Sequence, residues 1–164
     1  MTTEPTTIDG AGVTLVPVRP RQAAALLGGD LDGRTAGVGW PHDDTEPALG
    51  FADSGGLTWL IVDADGLVVG ELGTKTGPDA TGTVEIGYGL AAPSRGRGLG
   101  TRSVAALLGW LGRQDDVRRV VANVAVGNVA SHRLLARLGF RSTGEGGSAE
   151  ISYELATEAL SDAR

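Results

Sequence analysis

The run Pro93-Ser-Arg-Gly-Arg-Gly-Leu-Gly-Thr101 carries the strongest chemical signal in this sequence. It follows a predicted strand and opens a predicted helix, and three glycines at alternate positions let a ligand approach the backbone amides closely. Amides at a helix N-terminus favour an anion, and Arg95, Arg97 and Arg102 add positive charge. The run therefore predicts a phosphate or pyrophosphate cradle.

Two common phosphate-binding motifs do not fit this run. A Walker loop ends in Gly-Lys-Ser/Thr, whereas here Gly100 is followed directly by Thr101. A dinucleotide fingerprint needs glycine or alanine where Thr101 stands. Its acidic ribose ligand should end a strand, but Asp115-Asp116 precedes one.

The segment before the glycine run predicts an antiparallel meander that leads into it. Tight turns such as Asp63-Ala-Asp-Gly66 join its consecutive strands. A strand at Val13 to Val18 and short helices at Pro20 to Leu27 and Glu46 to Ala52 are predicted earlier. The predicted strands of the meander are Leu57 to Val62, Leu67 to Thr74 and Val84 to Leu90.

The segment after the glycine run predicts a β-α-β unit and a closing hairpin. Leu99 to Arg113 has the apolar spacing of an amphipathic helix, and Arg119 to Val126 reads as a buried strand. Asn128 can cap a helix that ends at Leu138. Phe140 to Thr143 and Ile151 to Leu155 then form the last two predicted strands.

Taken together, these motifs resemble the GNAT superfamily of acetyl-CoA-dependent N-acetyltransferases. The similar segments are Glu85 to Leu90, Pro93, the spacing Arg95-x-x-Gly98-x-Gly100, Asn128 to Ser131 and Leu138-Gly-Phe140. They look like the ribosomal-protein N-terminal acetyltransferase (RimJ/RimL-like) branch. The resemblance covers about residues 12–156 and agrees with the predicted order of elements.

The resemblance implies a fold and a domain division. The expected fold is α/β (α+β), with a mixed, mostly antiparallel sheet of six to seven strands and about four flanking helices. A cofactor cleft should open between the splayed fourth and fifth strands. Residues 12–156 would form the N-acetyltransferase domain, between a loose N-terminal tail at 1–11 and a C-terminal tail at 157–164.

The resemblance also assigns a cofactor site. The loop amides of the family hold the pyrophosphate of acetyl-CoA, and the pantetheine arm runs along the fourth strand towards Asn128. The residues implied to bind this co-substrate are Tyr88, Gly89, Leu90, Arg95, Gly96, Arg97, Gly98, Leu99, Gly100, Thr101, Asn128 and Ser131. No metal is expected.

The implied reaction is direct attack of an amine on the thioester, with backbone amides near Tyr88 to Leu90 as the oxyanion hole. Glu85 matches a glutamate often found in the family and is predicted as the base, with ordered water as the alternative. Ser131 is predicted to protonate the thiolate or hydrogen-bond the sulfur. The alternatives are that Ser131 only supports the helix start, and that Tyr153 or solvent supplies the proton.

The acceptor would be a primary amine, either a protein N-terminus or a small molecule. Trp40, Glu85 and Asn123 are predicted to contact it, although Trp40 could equally pack in the core and Asn123 could satisfy neighbouring backbone. His42-Asp43-Asp44 is more typical of a solvated turn than of a metal site.

The composition of the 164 residues narrows the partners. The net charge of −6 argues against a nucleic-acid partner, and the absence of cysteine excludes disulfides and a cysteine nucleophile. No apolar run has the length of a membrane helix, so we expect a cytoplasmic protein without a membrane partner, and a homodimer is possible. The alternative function is a CoA-binding regulatory or sensory module without turnover.

Overall fold

The computed structural model describes residues 4–147 and 149–161, and this part of the chain forms nine strands and five α-helices. The strands are β1 (Ile8–Gly10), β2 (Val13–Val18), β3 (Thr35–Ala36), β4 (Leu57–Asp63), β5 (Leu67–Thr74), β6 (Thr83–Leu90), β7 (Arg119–Ala125), β8 (Arg141–Gly147) and β9 (Glu150–Ala156). The helices are α1 (Ala23–Leu27), α2 (Thr45–Leu49), α3 (Leu99–Leu111), α4 (Val129–Arg137) and α5 (Glu158–Ser161).

The strands form one twisted path in the order β1-β2-β4-β5-β6-β7-β9-β8, with the short β3 beside β5. Neighbours along the path are antiparallel except for β6 and β7, the two strands joined through α3. Their parallel register covers only Thr83–Glu85 against Arg119–Val121. The two strands separate towards Leu90, which confirms the predicted cleft between the fourth and fifth predicted strands.

Alternating residues of β4 enter two separate cores on the two faces of the sheet. Trp59 and Ile61 face the larger core, which α3 and α4 cover, whereas Leu60 and Val62 face a smaller core with α1 and α2. In the larger core the rings of Trp59 and Trp110 meet edge to face at 5.2 Å and 68°. The sheet that carries the site described below is therefore packed on both faces.

The predicted meander, the two long helices and the closing hairpin are confirmed. The predicted tail at 1–11 is wrong at its end, because Ile8–Gly10 pairs with β2 and the Ile8 side chain is buried. The predicted tail at 157–164 is wrong as well, since it contains α5 and Thr157 donates to the Val117 carbonyl. Residues 1–3 and 162–164 of these tails lie outside the described residues.

The structure has more strands and helices than predicted, and the extra strands are very short. The unpredicted strands β1 and β3 are only three and two residues long. Strands this short carry no periodicity of their own, and pairing with β2 and β5 defines them. No helix among the described residues has the length and apolar character needed to cross a membrane.

Candidate active site

A cavity of about 600 Å³ opens where β6 and β7 separate, between the first turns of α3 and α4. It is lined by Asp44, Tyr88, Gly89, Leu90, Arg95, Gly96, Gly98, Leu99, Gly100, Thr101, Asn128, Ala130, Ser131, Arg133, Leu134 and Arg137. The structure thus brings all of the residues predicted to bind the co-substrate to one cavity, with the exception of Arg97.

The glycines of the loop serve two different purposes. Gly96 and Gly98 have φ values of 78° and 75°, a left-handed conformation that L side chains rarely adopt, and Gly98 is the N-cap of α3. Gly100 is helical, and an added Cβ would lie 3.1 Å from Leu134 Cδ1. Gly96 and Gly98 therefore shape the loop, while Gly100 lets α3 approach α4.

The arginines of the loop are used differently from the prediction. The Arg102 guanidinium donates to the carbonyls of Ala11 (2.8 Å), Gly98 and Arg97 (both 3.2 Å), so it braces the loop. Arg95 Nε donates to the Leu90 carbonyl at 3.1 Å. Arg133 and Arg137, one helical turn apart on α4, supply positive charge to the cavity wall, and the sequence analysis did not single them out.

The first turn of α4 bears on the two predicted roles of Ser131, support of the helix start and proton donation to the thiolate. The Asn128 side chain accepts a hydrogen bond from the backbone N–H of Ser131 at 3.2 Å, which confirms Asn128 as the helix cap. This cap uses the Ser131 amide, so its hydroxyl is available for another role at the cavity wall.

Tyr88 places a second hydroxyl near Ser131. Its oxygen is buried beside the Ser131 side chain, without a well-aligned hydrogen bond in the described part of the chain. Burial raises the pKa of the Tyr88 phenol, and the interaction with Ser131 partly opposes this shift. A poorly aligned buried hydroxyl costs free energy, which favours a ligand that supplies a better partner.

Tyr153 points its proton away from the cavity. His132 Nε2 lies 3.0 and 3.1 Å from the carbonyls of Ala125 and Val126, so this nitrogen carries the ring proton. Tyr153 then donates its hydroxyl proton to His132 Nδ1, at 2.7 Å. Tyr153 does not line the cavity, and this bond weakens its case as the proton source.

Two predicted acceptor contacts have partners elsewhere in the described structure. The Glu85 carboxylate lies 2.5 Å from the ammonium of Lys75, the only lysine of the chain, and Asn123 Oδ1 accepts from the Ser152 hydroxyl at 2.5 Å. Neither side chain lines the cavity. Asn123 thus has a side-chain partner, and not the neighbouring backbone of its predicted alternative.

The third predicted contact, Trp40, belongs to a buried polar group that sequence analysis missed. Trp40 is 6% exposed, and its Nε1–H donates to Glu71 Oε2 at 2.9 Å. Glu71 is fully buried, and His42 Nε2 lies 2.6 Å from its Oε1. His42 was predicted in a solvated turn, yet its side chain is only 11% exposed because it packs against Glu71.

A metal centre finds no support in this geometry. Within residues 4–147 and 149–161, no three histidine, cysteine or acidic side chains are grouped so that they could hold a metal ion. The cavity instead combines an anion cradle, arginines and hydroxyl groups at the open end of a strand pair.

Comparison with known proteins gives the class of this chain. Residues 13–141 match the family model described as the acetyltransferase (GNAT) domain. The chain therefore belongs to the GNAT acetyltransferase family, whose members are acetyl-CoA-dependent acyltransferases.

Individual relatives are more distant. The uncharacterized N-acetyltransferase YjdG of Bacillus subtilis (strain 168) is 27% identical over 144 residues, which cover 82% of this chain and 83% of that protein. RimJ of Mycobacterium smegmatis, solved with CoA-disulfide, is 24% identical with a TM-score of 0.64, and the match covers 94% of this chain and 87% of the RimJ chain. The ribosomal L7/L12 alpha-N-protein acetyltransferase RimL, solved with coenzyme A, is 19% identical with a TM-score of 0.68. The match covers 92% of this chain and 97% of the RimL chain. These two structures have the same fold.

Proposed function

We propose that this protein transfers the acetyl group of acetyl-CoA to a primary amine by direct attack of the amine on the thioester. The observation that carries the proposal is the left-handed Gly96 and Gly98 loop at the start of α3, which opens into the cavity beside the part of β6 that pairs with β5 but not with β7. Family membership favours acetyl transfer over a regulatory or sensory module without turnover.

The residues of the cavity fit acetyl-CoA. Amides at the start of α3 would hold the pyrophosphate, and Arg133 and Arg137 would complement its charge. Tyr88 to Leu90 lie beyond the last residue of β6 that pairs with β7, so this side of β6 can accept the pantetheine arm. When bound, acetyl-CoA supplies an activated acyl group on a thiolate leaving group.

The chain's own residues then stabilise the charges of the reaction. Backbone N–H groups of β6 near Tyr88 to Leu90 would donate to the oxyanion. The Ser131 hydroxyl would donate to the departing sulfur. No nucleophilic side chain is needed, which agrees with a chain that has no cysteine.

Glu85 stays a prediction as the base. It lies four residues from Gly89 on the same strand, which is about 13 Å of extended chain, and its carboxylate is engaged by Lys75. Direct contact with an amine at Gly89 is therefore beyond its reach, and Glu85 could act there only through ordered water.

The acceptor class is proposed as a protein N-terminus or a small-molecule amine. A cytoplasmic location, a homodimer and the exclusion of nucleic-acid and membrane partners stay predictions from the sequence.

An acceptor panel tests the proposed function. Acetyl-CoA is incubated with the protein and with peptides, polyamines or amino acids, and free thiol is measured. We expect release with at least one primary amine, and none with the same acceptor after its amine has been blocked. Calorimetric CoA binding with no release from any acceptor would instead support the module without turnover.

Ser131→Ala should lower kcat and kcat/KM together by about 10-fold or more, because general acid catalysis acts only as the thiolate forms. Thermal stability should change by less than about 1 kcal/mol, since the cap bond comes from the backbone amide. Steady-state kinetics and melting curves check this, with Ser54→Ala as a remote control. A variant that melts lower but turns over normally would leave Ser131 with a structural role only.

A further inference from the structure

Glu71 is a fully buried carboxylate in the middle of an apolar strand. Its Oε2 accepts hydrogen bonds from Trp40 Nε1 at 2.9 Å and from the Thr45 hydroxyl at 3.1 Å. Its Oε1 lies 2.6 Å from His42 Nε2. Two donors and a close imidazole thus surround one carboxylate, which offsets part of the cost of burying it.

The contacts of His42 define its tautomer. The Asp44 backbone N–H donates to His42 Nδ1 at 3.3 Å, so Nδ1 carries the lone pair. The ring proton is then on Nε2, directed at Glu71. This arrangement has the logic of a carboxylate–imidazole dyad, in which the acid orients the ring and stabilises the imidazolium.

The dyad lies against the reactive stretch of β6. Glu71 is the partner of Gly89 in the β5–β6 ladder. A Cβ on Gly89 would lie 2.8 Å from His42 Cε1 and 3.2 Å from Glu71 Oε1. The absence of a side chain at Gly89 therefore lets the imidazole edge reach the backbone that would hold the thioester.

The Nδ1 edge of the ring lies beside Asp44, a residue of the cavity wall. Asp44, whose amide contacts Nδ1, lines the cavity together with Gly89. The bond from this amide is long, so an incoming donor can replace it.

We propose that His42, oriented by Glu71, is the general base that takes the proton from the acceptor amine. The inference rests on the proposed acetyl transfer. His42 Nδ1 takes one proton from the acceptor ammonium, which leaves a neutral amine. The amine nitrogen forms the C–N bond to the acetyl carbon as the C–S bond breaks, and its second proton replaces, directly or through solvent, the one that the Ser131 hydroxyl or solvent gives to the departing sulfur. The imidazolium returns its proton to solvent, so charge and protons balance.

The groups around the ring suit this role. Glu71 faces it from β5 and β6 offers only Gly89, while Asp43 and Asp44 flank it on its own loop. Lys75 and Glu85 pair with each other further along the same face of β6, where the Lys75 side chain lies beside Gly87. Burial raises the pKa of the Glu71 carboxyl above its ordinary value, and the Trp40 hydrogen bond and the His42 charge oppose only part of that shift. Four of these groups are acidic and one is a lysine, so an imidazolium is electrostatically supported. Glu71 is a positioning residue and His42 the catalytic one.

The test compares His42→Gln and Glu71→Gln with two further variants. Glu46→Gln removes an exposed carboxylate of the same segment and serves as the control. Glu85→Gln tests the base predicted from sequence. The readouts are kcat/KM against pH with an acceptor found in the panel, the Kd for CoA, and the melting temperature.

We expect His42→Gln to lower kcat/KM by about 100-fold near neutral pH. The deficit should shrink as pH rises, because the amine then deprotonates without help. The Kd for CoA should stay unchanged. Glu71→Gln should lower kcat in the same pH-dependent way, and Glu46→Gln should keep the wild-type profile. Added imidazole should partly restore turnover to His42→Ala and not to Glu71→Gln.

The opposite results separate the two proposals. An active wild type with an equally active His42→Gln variant, or a loss that does not depend on pH, overturns the base role alone. A loss confined to Glu85→Gln returns the role to that residue. A wild type that releases no thiol with any amine overturns the proposed function, and the base role with it. If Glu71→Gln folds poorly, His42→Gln and the imidazole rescue decide.

Discussion

Replacing Gly98 with valine should weaken CoA binding by about 100-fold. A β-branched residue opposes the left-handed conformation of this N-cap, and relaxation would turn the first amides of α3 away from the anion. Two lost charge-assisted hydrogen bonds at about 1.5 kcal/mol each amount to this factor. Calorimetric titration with CoA measures the effect.

Gly66→Val is the matched control for backbone strain. Gly66 has a φ of 80° in the β4–β5 turn, and an added Cβ meets no atom within 4 Å, as is nearly the case at Gly98. Both variants should lose similar stability, whereas only Gly98→Val should lose affinity. A folded Gly98→Val protein that binds CoA like the wild type would refute the cradle.

Trp59→Ala should destabilise the protein by about 3–5 kcal/mol, a large part of the stability of an ordinary domain. Trp59 is fully buried, contacts Trp110 edge to face, and donates its Nε1–H to the Thr6 carbonyl at 2.8 Å. The change leaves a cavity and an unpaired carbonyl at once. Urea unfolding measures it, with Trp59→Phe as a control that keeps an aromatic ring. A loss below about 1 kcal/mol would contradict the packing described for this core.

The sequence was sufficient for the elements whose periodicity is strong. The short apolar run in Leu57–Asp63 and the apolar stripe of Leu99–Leu111 indicated their type and nearly their limits. Strand Ile8–Gly10 was missed because a single apolar residue in a polar segment has no period, and pairing with β2 defines the strand.

The candidate site shows the same division between local and tertiary information. The cradle is a contiguous run, so its residues were found from spacing alone. The dyad of His42 and Glu71 joins two segments that are distant in sequence, and no local pattern connects them. One signal was available: Glu71 is the single acid within the apolar run Val68 to Leu72, where a charge needs a partner.

The short ladder between β6 and β7 has a consequence for cooperativity. Within the described part of the chain, the ladder between the two halves of the sheet pairs Thr83–Glu85 with Arg119–Val121, and the Gly82 carbonyl adds bonds from the amides of Arg118 and Arg119. The pantetheine arm of CoA, hydrogen-bonded to the side of β6 that faces away from β5, would extend this ladder. The bound state would then resist local separation of β6 from β7. By mass action, ligand at 100 times its Kd adds about 2.7 kcal/mol to stability. On CoA binding, the largest slowing of amide hydrogen exchange should therefore occur along the β6–β7 ladder. The free energy of unfolding should rise with the concentration of the co-substrate.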